Sequence, residues 1–288
     1  MTSQHRSPWR PVLHGRAAEL RWLTRRSWTN RWYPQGVDTG LLQGRRMLAI
    51  SWFRQDAQRH HLAARVTFVD ADRPRPLDVA LAVLGPDGAL EPARIHAGGL
   101  AWFDDRLFAA ATGQGIWEFD LTGIRSVRGD AARRLTAGER SQALAVPRTR
   151  VHPVALRCSF IGRVFDERAA ALPRVLIGEF RADGDGRIGE FDLDGFAARE
   201  VVATGIRQMQ GAVRWGGTTF VSQSDATRPG TLWAGAVDAL ERTAIPLPAG
   251  CQDLALDLER RVLWTLGEHP WRRVVRGIPL DRLGLQGA

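Results

Sequence analysis

The chain has 288 residues, enough for one large domain or two small ones, and a chain of that size folds without disulfide staples. Its two cysteines, Cys158 and Cys251, are too few for a disulfide framework and lack metal-ligand spacing, so both read as core thiols. All 40 basic residues are arginine and the excess is local: residues 1–60 hold eleven Arg against Glu19, Asp38 and Asp56, while the remainder holds 29 Arg against 28 carboxylates.

Residues 1–30 read as a basic, Trp- and Arg-rich N-terminal arm. Arg interleaved with Trp can stack on bases, yet there is no dense cationic stripe and no recognised module, so nucleic acid is disfavoured as a partner. No run of 18 apolar residues occurs, which excludes a membrane-spanning helix. The first ten residues carry charge without an apolar region behind them. The chain as given therefore reads as cytoplasmic, and as extracellular if its start site is misplaced.

From Arg31 to about residue 284 one grammar recurs: a polar residue beside a glycine or small residue, an apolar strand, a turn, a second strand, a turn and a third. The first unit holds Tyr33–Val37, Arg45–Phe53, Ala64–Asp70 and Leu77–Val83. The second, Ile95–Leu121, is the cleanest, followed by a loop with a short helical turn over residues 123–138. The third holds Ala155–Ile161, Arg174–Phe180 and Arg187–Leu193. The fourth holds Met209–Val213, Thr219–Ser222 and Gly230–Ala234, and the fifth Cys251–Leu256, Arg261–Leu266 and Arg273–Ile278. Short strands at regular spacing with Gly-rich turns argue an all-β fold. Repeats near 50 residues argue a single β-propeller of four-stranded antiparallel blades. Five blades are expected, six if residues 123–155 hide another; a pair of β-sandwiches shares the same strand grammar. The last unit lacks an outer strand, which an N-terminal segment is expected to supply, closing the ring. Trp52, Trp102, Trp117, Trp215, Trp233 and Trp264 recur at strand positions, as packing between blades requires.

Several of these stretches carry a resemblance. Arg31–Val37, Ser51-Trp52, Arg65–Asp70, His96–Gly99, Gly178–Phe180 and Leu263–Pro270 resemble a family of uncharacterised, mostly secreted β-propeller-like proteins of high-GC Gram-positive bacteria. The likeness spans residues 31–280 and implies a five- or six-bladed propeller with no established activity. The chain departs from that pattern at Ala111, where an Asp is expected in Ala-Asp-Thr, and at Cys251-Gln252, where Pro-Glu is expected before Asp253.

In a propeller the innermost strands line a central channel. The unit openings here carry Gln35, His96, Arg157, Gln210 and Gln252-Asp253, and Glu268 follows the second strand of the last unit. These seven residues are the candidate ligand-binding set, suited to a small polar ligand; the bland role for such residues is to cap strand ends. There is no Gly-x-Ser-x-Gly and no Ser or Cys beside a readable base. The Asp183–Gly186 turn resembles part of a calcium loop, but Arg181 stands at its first ligand position, and Asp-Gly is the favoured hairpin turn. His60-His61 reads as a solvated loop. No metal or cofactor is expected. The leading expectation is a monomeric binding module with a polar central pocket for a small polar ligand or a protein. The alternative is a hydrolase or lactonase-like enzyme with its site at the channel mouth around His96, which requires His96 and two carboxylates to converge.

Overall fold

The computed structural model describes residues 9–14, 17–22, 31–70, 75–182 and 186–284. Most of the N-terminal arm, Trp28 included, and the Asp183-Gly184-Asp185 turn lie outside them. The described chain is all-β and propeller-like. An N-terminal hairpin, β1 (Trp9–His14) and β2 (Ala17–Trp22), precedes β3 (Trp32–Leu42), β4 (Arg45–Gln55), β5 (His61–Val69) and β6 (Pro76–Leu84), which pair in order as the first antiparallel quartet.

A short strand, β7 (Leu90–Pro92), leads into the second quartet: β8 (Leu100–Phe103), β9 (Arg106–Ala110), β10 (Ile116–Asp120) and, after β11 (Arg125–Arg128) and the helix α1 (Gly129–Leu135), the outer strand β12 (Gln142–His152). Residues 123–155 thus supply this outer strand and its helical insert. The third quartet is β13 (Phe160–Phe165), β14 (Ala171–Gly178), β15 (Arg187–Asp192) and β16 (Ala198–Ala203). The fourth is β17 (Met209–Trp215), β18 (Thr218–Gln223), β19 (Pro229–Ala236) and β20 (Ala239–Ala249).

Three strands of the fifth quartet come from β21 (Cys251–Asp257), β22 (Val262–Gly267) and β23 (Val274–Pro279). Its fourth is β2, antiparallel to β23 from Ala18↔Gly277 to Arg21↔Val274. The N-terminal segment therefore closes the ring. Arg276 fastens the seam by donating from Nε to Glu19 Oε1 at 2.8 Å, and Leu20 is buried beneath it.

The first strands of the quartets pack in a cycle: β3 on β8, β8 on β13, β13 on β17, β17 on β21, and β21 on β3. An apolar cluster fills each gap between neighbouring quartets. Phe68, Trp102 and Phe119 lie between the first and second, and Phe108, Ile161 and Phe191 between the second and third. Phe160, Leu176 and Val221 lie between the third and fourth, Phe220, Leu254 and Leu263 between the fourth and fifth, and Trp32, Trp52 and Trp264 between the fifth and first. Each sheet is thus covered on both faces. This explains why β4 is buried without a break from Met47 to Phe53, and apolar there except at Ser51, whereas the outer strand β16 is mostly exposed. Both cysteines are free and buried in these clusters, and burial pushes each thiol up to about 12.

At the axis the strands approach so closely that side chains are excluded. A Cβ on Gly211 would fall 2.7 Å from both Cα and Oδ1 of Asp253 on the next inner strand. Asp253 itself is fully buried, and its Oδ2 accepts from the backbone N–H of Val37 at 3.0 Å and of Leu100 at 3.1 Å. One carboxyl group of the fifth quartet thus holds the first strands of the first and second. Nearby, Asp38 Oδ2 accepts from Trp102 N–H at 2.6 Å, and its Oδ1 takes the Arg163 guanidinium of the third quartet at 2.8 Å. Burial pushes the Asp253 carboxyl well above its usual 3.8; the N–H groups of Val37, Leu100 and Leu254 oppose that rise, and Asp38 adds to it.

Replacing Asp253 by Ala strands two buried N–H groups and is expected to cost about 2–5 kcal/mol, at roughly 1–3 kcal/mol for each unsatisfied donor. Asp253→Asn keeps an oxygen for the two N–H groups without the carboxyl's charge and should lose less than Asp253→Ala. Because the folded pKa is raised above 3.8, the acid's contribution is complete below that value and is lost as pH rises toward the folded value. Urea unfolding across pH should therefore show wild type falling relative to Asp253→Asn above about pH 4. A constant difference would refute the raised carboxyl.

Candidate functional site

In an antiparallel meander the start of the first strand and the turn between the second and third lie on one rim. That rim carries the expected site residues. Gln35 (in β3), Gln210 (in β17) and Gln252 (in β21) come from inner strands; His96 and Arg157 precede the inner strands β8 and β13; Glu268 follows β22. All six line one cavity of about 370 Å³.

The approaches to four inner strands turn through a left-handed residue: Ala97 (φ 53°) before β8, Cys158 (φ 54°) before β13, Gln208 (φ 56°) before β17 and Gly250 (φ 62°) before β21. Three of these are not glycine, a conformation costing roughly 1–2 kcal/mol each. The turns press neighbouring backbones together. A Cβ on Gly98 would lie 2.1 Å from the carbonyl oxygen of Ser159. Ser51 on β4 adds a tie between quartets, accepting from Gly36 N–H and donating to the Ala97 carbonyl, both at 2.7 Å.

One wall of the cavity is a hydrogen-bonded chain. His96 Nε2 donates to Gln35 Oε1 at 2.7 Å, and Gln35 Nε2 donates to Glu268 Oε2 at 2.8 Å. The imidazole stacks on Phe53 at 4.5 Å and lies 5.5 Å from the His61 ring. Burial, with the nearby His61 and Arg157, lowers His96 from 6.5 to about 4, so the ring is neutral. Glu268 moves the other way: burial raises it, against the Gln35 hydrogen bond and the attraction of His269 and Arg273. The other walls hold unused groups. Ser159 is 9% exposed and its buried Oγ makes no hydrogen bond among the described residues.

Asp253 is the exception among the expected residues. The sequence places it beside Gln252 as a ligand-binding candidate. The structure turns it to the axis, where its Oδ2 accepts from Val37 and Leu100 and its buried Oδ1 has no hydrogen bond among the described residues. Five further lining residues were not anticipated: His61, Thr112, Gln114, Ser159 and Phe180. Thr112, Gln114 and Phe180 all follow second strands, as Glu268 does, and this shared position was the available signal. His60 is exposed and bonds Asp56, as a solvated loop would have it, whereas His61 opens β5 and is half-buried. The acids of the third strands are engaged elsewhere: Glu118 with Arg106 and His152, Asp120 with Thr122, Glu190 with Arg174 and Arg214, and Asp192 with Arg199. Among the described residues no group of three or more His, Cys, Asp or Glu could hold a metal ion.

No protein-family model matches the chain, and no curated protein matches it. Solved structures similar to it are propeller-like in shape but distant. A GH43_1 enzyme from Xanthomonas citri complexed with xylotriose is 10% identical, with TM-score 0.49, over 88% of this chain and 88% of that one. BamB from Moraxella catarrhalis is 13% identical, with TM-score 0.39, over 93% and 70%. A gluconolactonase from Xanthomonas campestris is 13% identical, with TM-score 0.43, over 96% and 96%. At this distance no activity passes from them to this chain, and the fold rests on its own strand pairing. No helix among the described residues is long and apolar enough to cross a membrane.

The neutral imidazole has a measurable signature. A histidine lowered from 6.5 to about 4 favours the unfolded chain as pH falls through that window. Stability of wild type relative to His96→Gln should therefore decline between pH 6.5 and 4 and be level above 6.5, read by denaturant unfolding. A level difference throughout would show that His96 titrates normally.

Proposed function

We propose that the chain is a five-bladed propeller binding module whose central chamber holds one small polar ligand. The observation that supports this best is the composition of the chamber wall. Groups from all five quartets converge on it, and besides the Phe180 ring they are amides, hydroxyls, imidazoles and one guanidinium, with Glu268 as the one carboxylate. Pockets of this kind fix a ligand through a few convergent polar groups on a rigid frame. The lactonase-like reading needs a second carboxylate beside His96. Asp253 does not serve, since it is fully buried at the axis and does not line the chamber, and the Nε2 proton of His96 is already committed to Gln35.

On the same reading the chain works as a monomer, and the likeness to the mostly secreted propeller family of high-GC Gram-positive bacteria is carried as a proposal. Ala111 and Gln252 then stand where those relatives are expected to have acids, which fits a copy tuned to bind.

Ligand-observed NMR against a library of small polar compounds tests this. At least one compound should show saturation transfer from the wild type and lose it in Gln210→Trp, which fills the chamber, while its own resonances persist unchanged over hours. Transfer that survives Gln210→Trp would place binding elsewhere. Conversion of a compound, abolished in His96→Gln, would establish the hydrolase instead.

A further inference from the structure

We infer that the chamber's ligand is a small organic acid that also bears hydroxyl groups, its carboxylate held by Arg157 and its hydroxyls by Ser159, Gln210 and Gln252. This rests on the binding-module reading and names the ligand class for it.

Arg157 is the one guanidinium in the chamber lining. Its backbone N–H is anchored to Glu179 Oε1 at 3.3 Å, but its side chain makes no hydrogen bond or ion pair among the described residues. Glu179 cannot serve it, being held by Arg187 at 2.8 and 2.9 Å. An unused guanidinium is a planar fork that matches a carboxylate in two parallel hydrogen bonds. The surrounding rim favours an anion as well. Arg181 and Arg207 are exposed on it, next to Phe180 and Gln208, and form no ion pair among the described residues. Asp225, on the same rim, is occupied by the N–H groups of Thr227 and Arg228 at 3.2 and 3.4 Å. Exposed cations near a chamber mouth raise the local concentration of anions.

The call for hydroxyls comes from the deeper wall. A buried hydroxyl without a partner is costly, and the Ser159 Oγ has none among the described residues. Gln252 is buried, and its Nε2 reaches only the Gly250 carbonyl at 3.4 Å, a long contact. Gln210, half-buried on the neighbouring inner strand, adds a second amide. Amides and hydroxyls both give and accept, which suits ligand hydroxyls that do the same. A monoanion fits better than a phosphate dianion, because Glu268 lines the same chamber.

Isothermal titration of the full chain with three shape-matched probes tests the inference: glucuronate (acid and hydroxyls), glucose (hydroxyls alone) and cyclohexanecarboxylate (acid alone). Wild type should bind glucuronate at least tenfold more tightly than either partial probe. Arg157→Gln, on an exposed side chain that leaves the fold intact, should bring glucuronate down to the level of glucose and leave glucose unchanged. Ser159→Ala should weaken the two hydroxylated probes and spare cyclohexanecarboxylate. Equal affinity for glucuronate and glucose, or a preference that survives Arg157→Gln, overturns the ligand class and leaves the binding module standing. Failure of all three probes overturns the class too, and the NMR library then decides the module separately.

Discussion

Five sheets can meet at one axis only if their inner strands come within backbone contact, and that closeness leaves amides with no room for water. The Asp253 carboxyl resolves the conflict at the tightest point. It enters the space that Gly211 leaves open and gathers the N–H groups of Val37 and Leu100 from two other quartets. Asp38 repeats the device, joining Trp102 of the second quartet to Arg163 of the third. The axis is thus held by polar groups, while five apolar clusters hold the sheets to one another. A buried carboxyl is costly when ionised, so its surroundings push the acid well above its usual 3.8. The price is a ring whose firmness depends on pH.

The chamber follows from the same geometry. The strands that converge at the axis open toward one rim, and the left-handed residues Ala97, Cys158 and Gln208 bend the approaches to β8, β13 and β17. Conformational strain of this kind is stored where the surrounding packing over-determines it. The wall that results is divided. His96, Gln35 and Glu268 satisfy one another, whereas Arg157 and Ser159 face the chamber with capacity unused. A satisfied wall orients, and an unsatisfied wall binds.

Much of this was legible in the sequence because a repeat array states its strands several times. The second unit, with Gly-Gly before Leu100 and Ile-Trp-Glu-Phe-Asp at its third strand, gave the pattern by which the weaker units were found. The polar residues at the unit openings could be named for the same reason. What the sequence hid has physical causes. Asp253 adjoins Gln252, and one residue along a strand reverses the side chain, so the two could not be told apart without the register. His61 was concealed by His60, since a turn and the first residue of the next strand look alike in composition. Ser159 carried no signal at all: a lone serine becomes informative only when its burial and its missing partner are known. The outer strand of the last sheet was missing from the C-terminal end because it lies at the other terminus, in β2.

One carboxyl group ties inner strands of three quartets together, and the chamber stands on that. Amide hydrogen exchange at Val37 and Leu100 reads it most directly. Both N–H groups should exchange only through global unfolding in the wild type, and in Asp253→Ala they should exchange orders of magnitude faster than the β4 amides of the same quartet, beyond any general loss of stability. If Val37 and Leu100 exchange freely in the wild type, or are no more affected by Asp253→Ala than the rest of the sheet, the axis is held by something else.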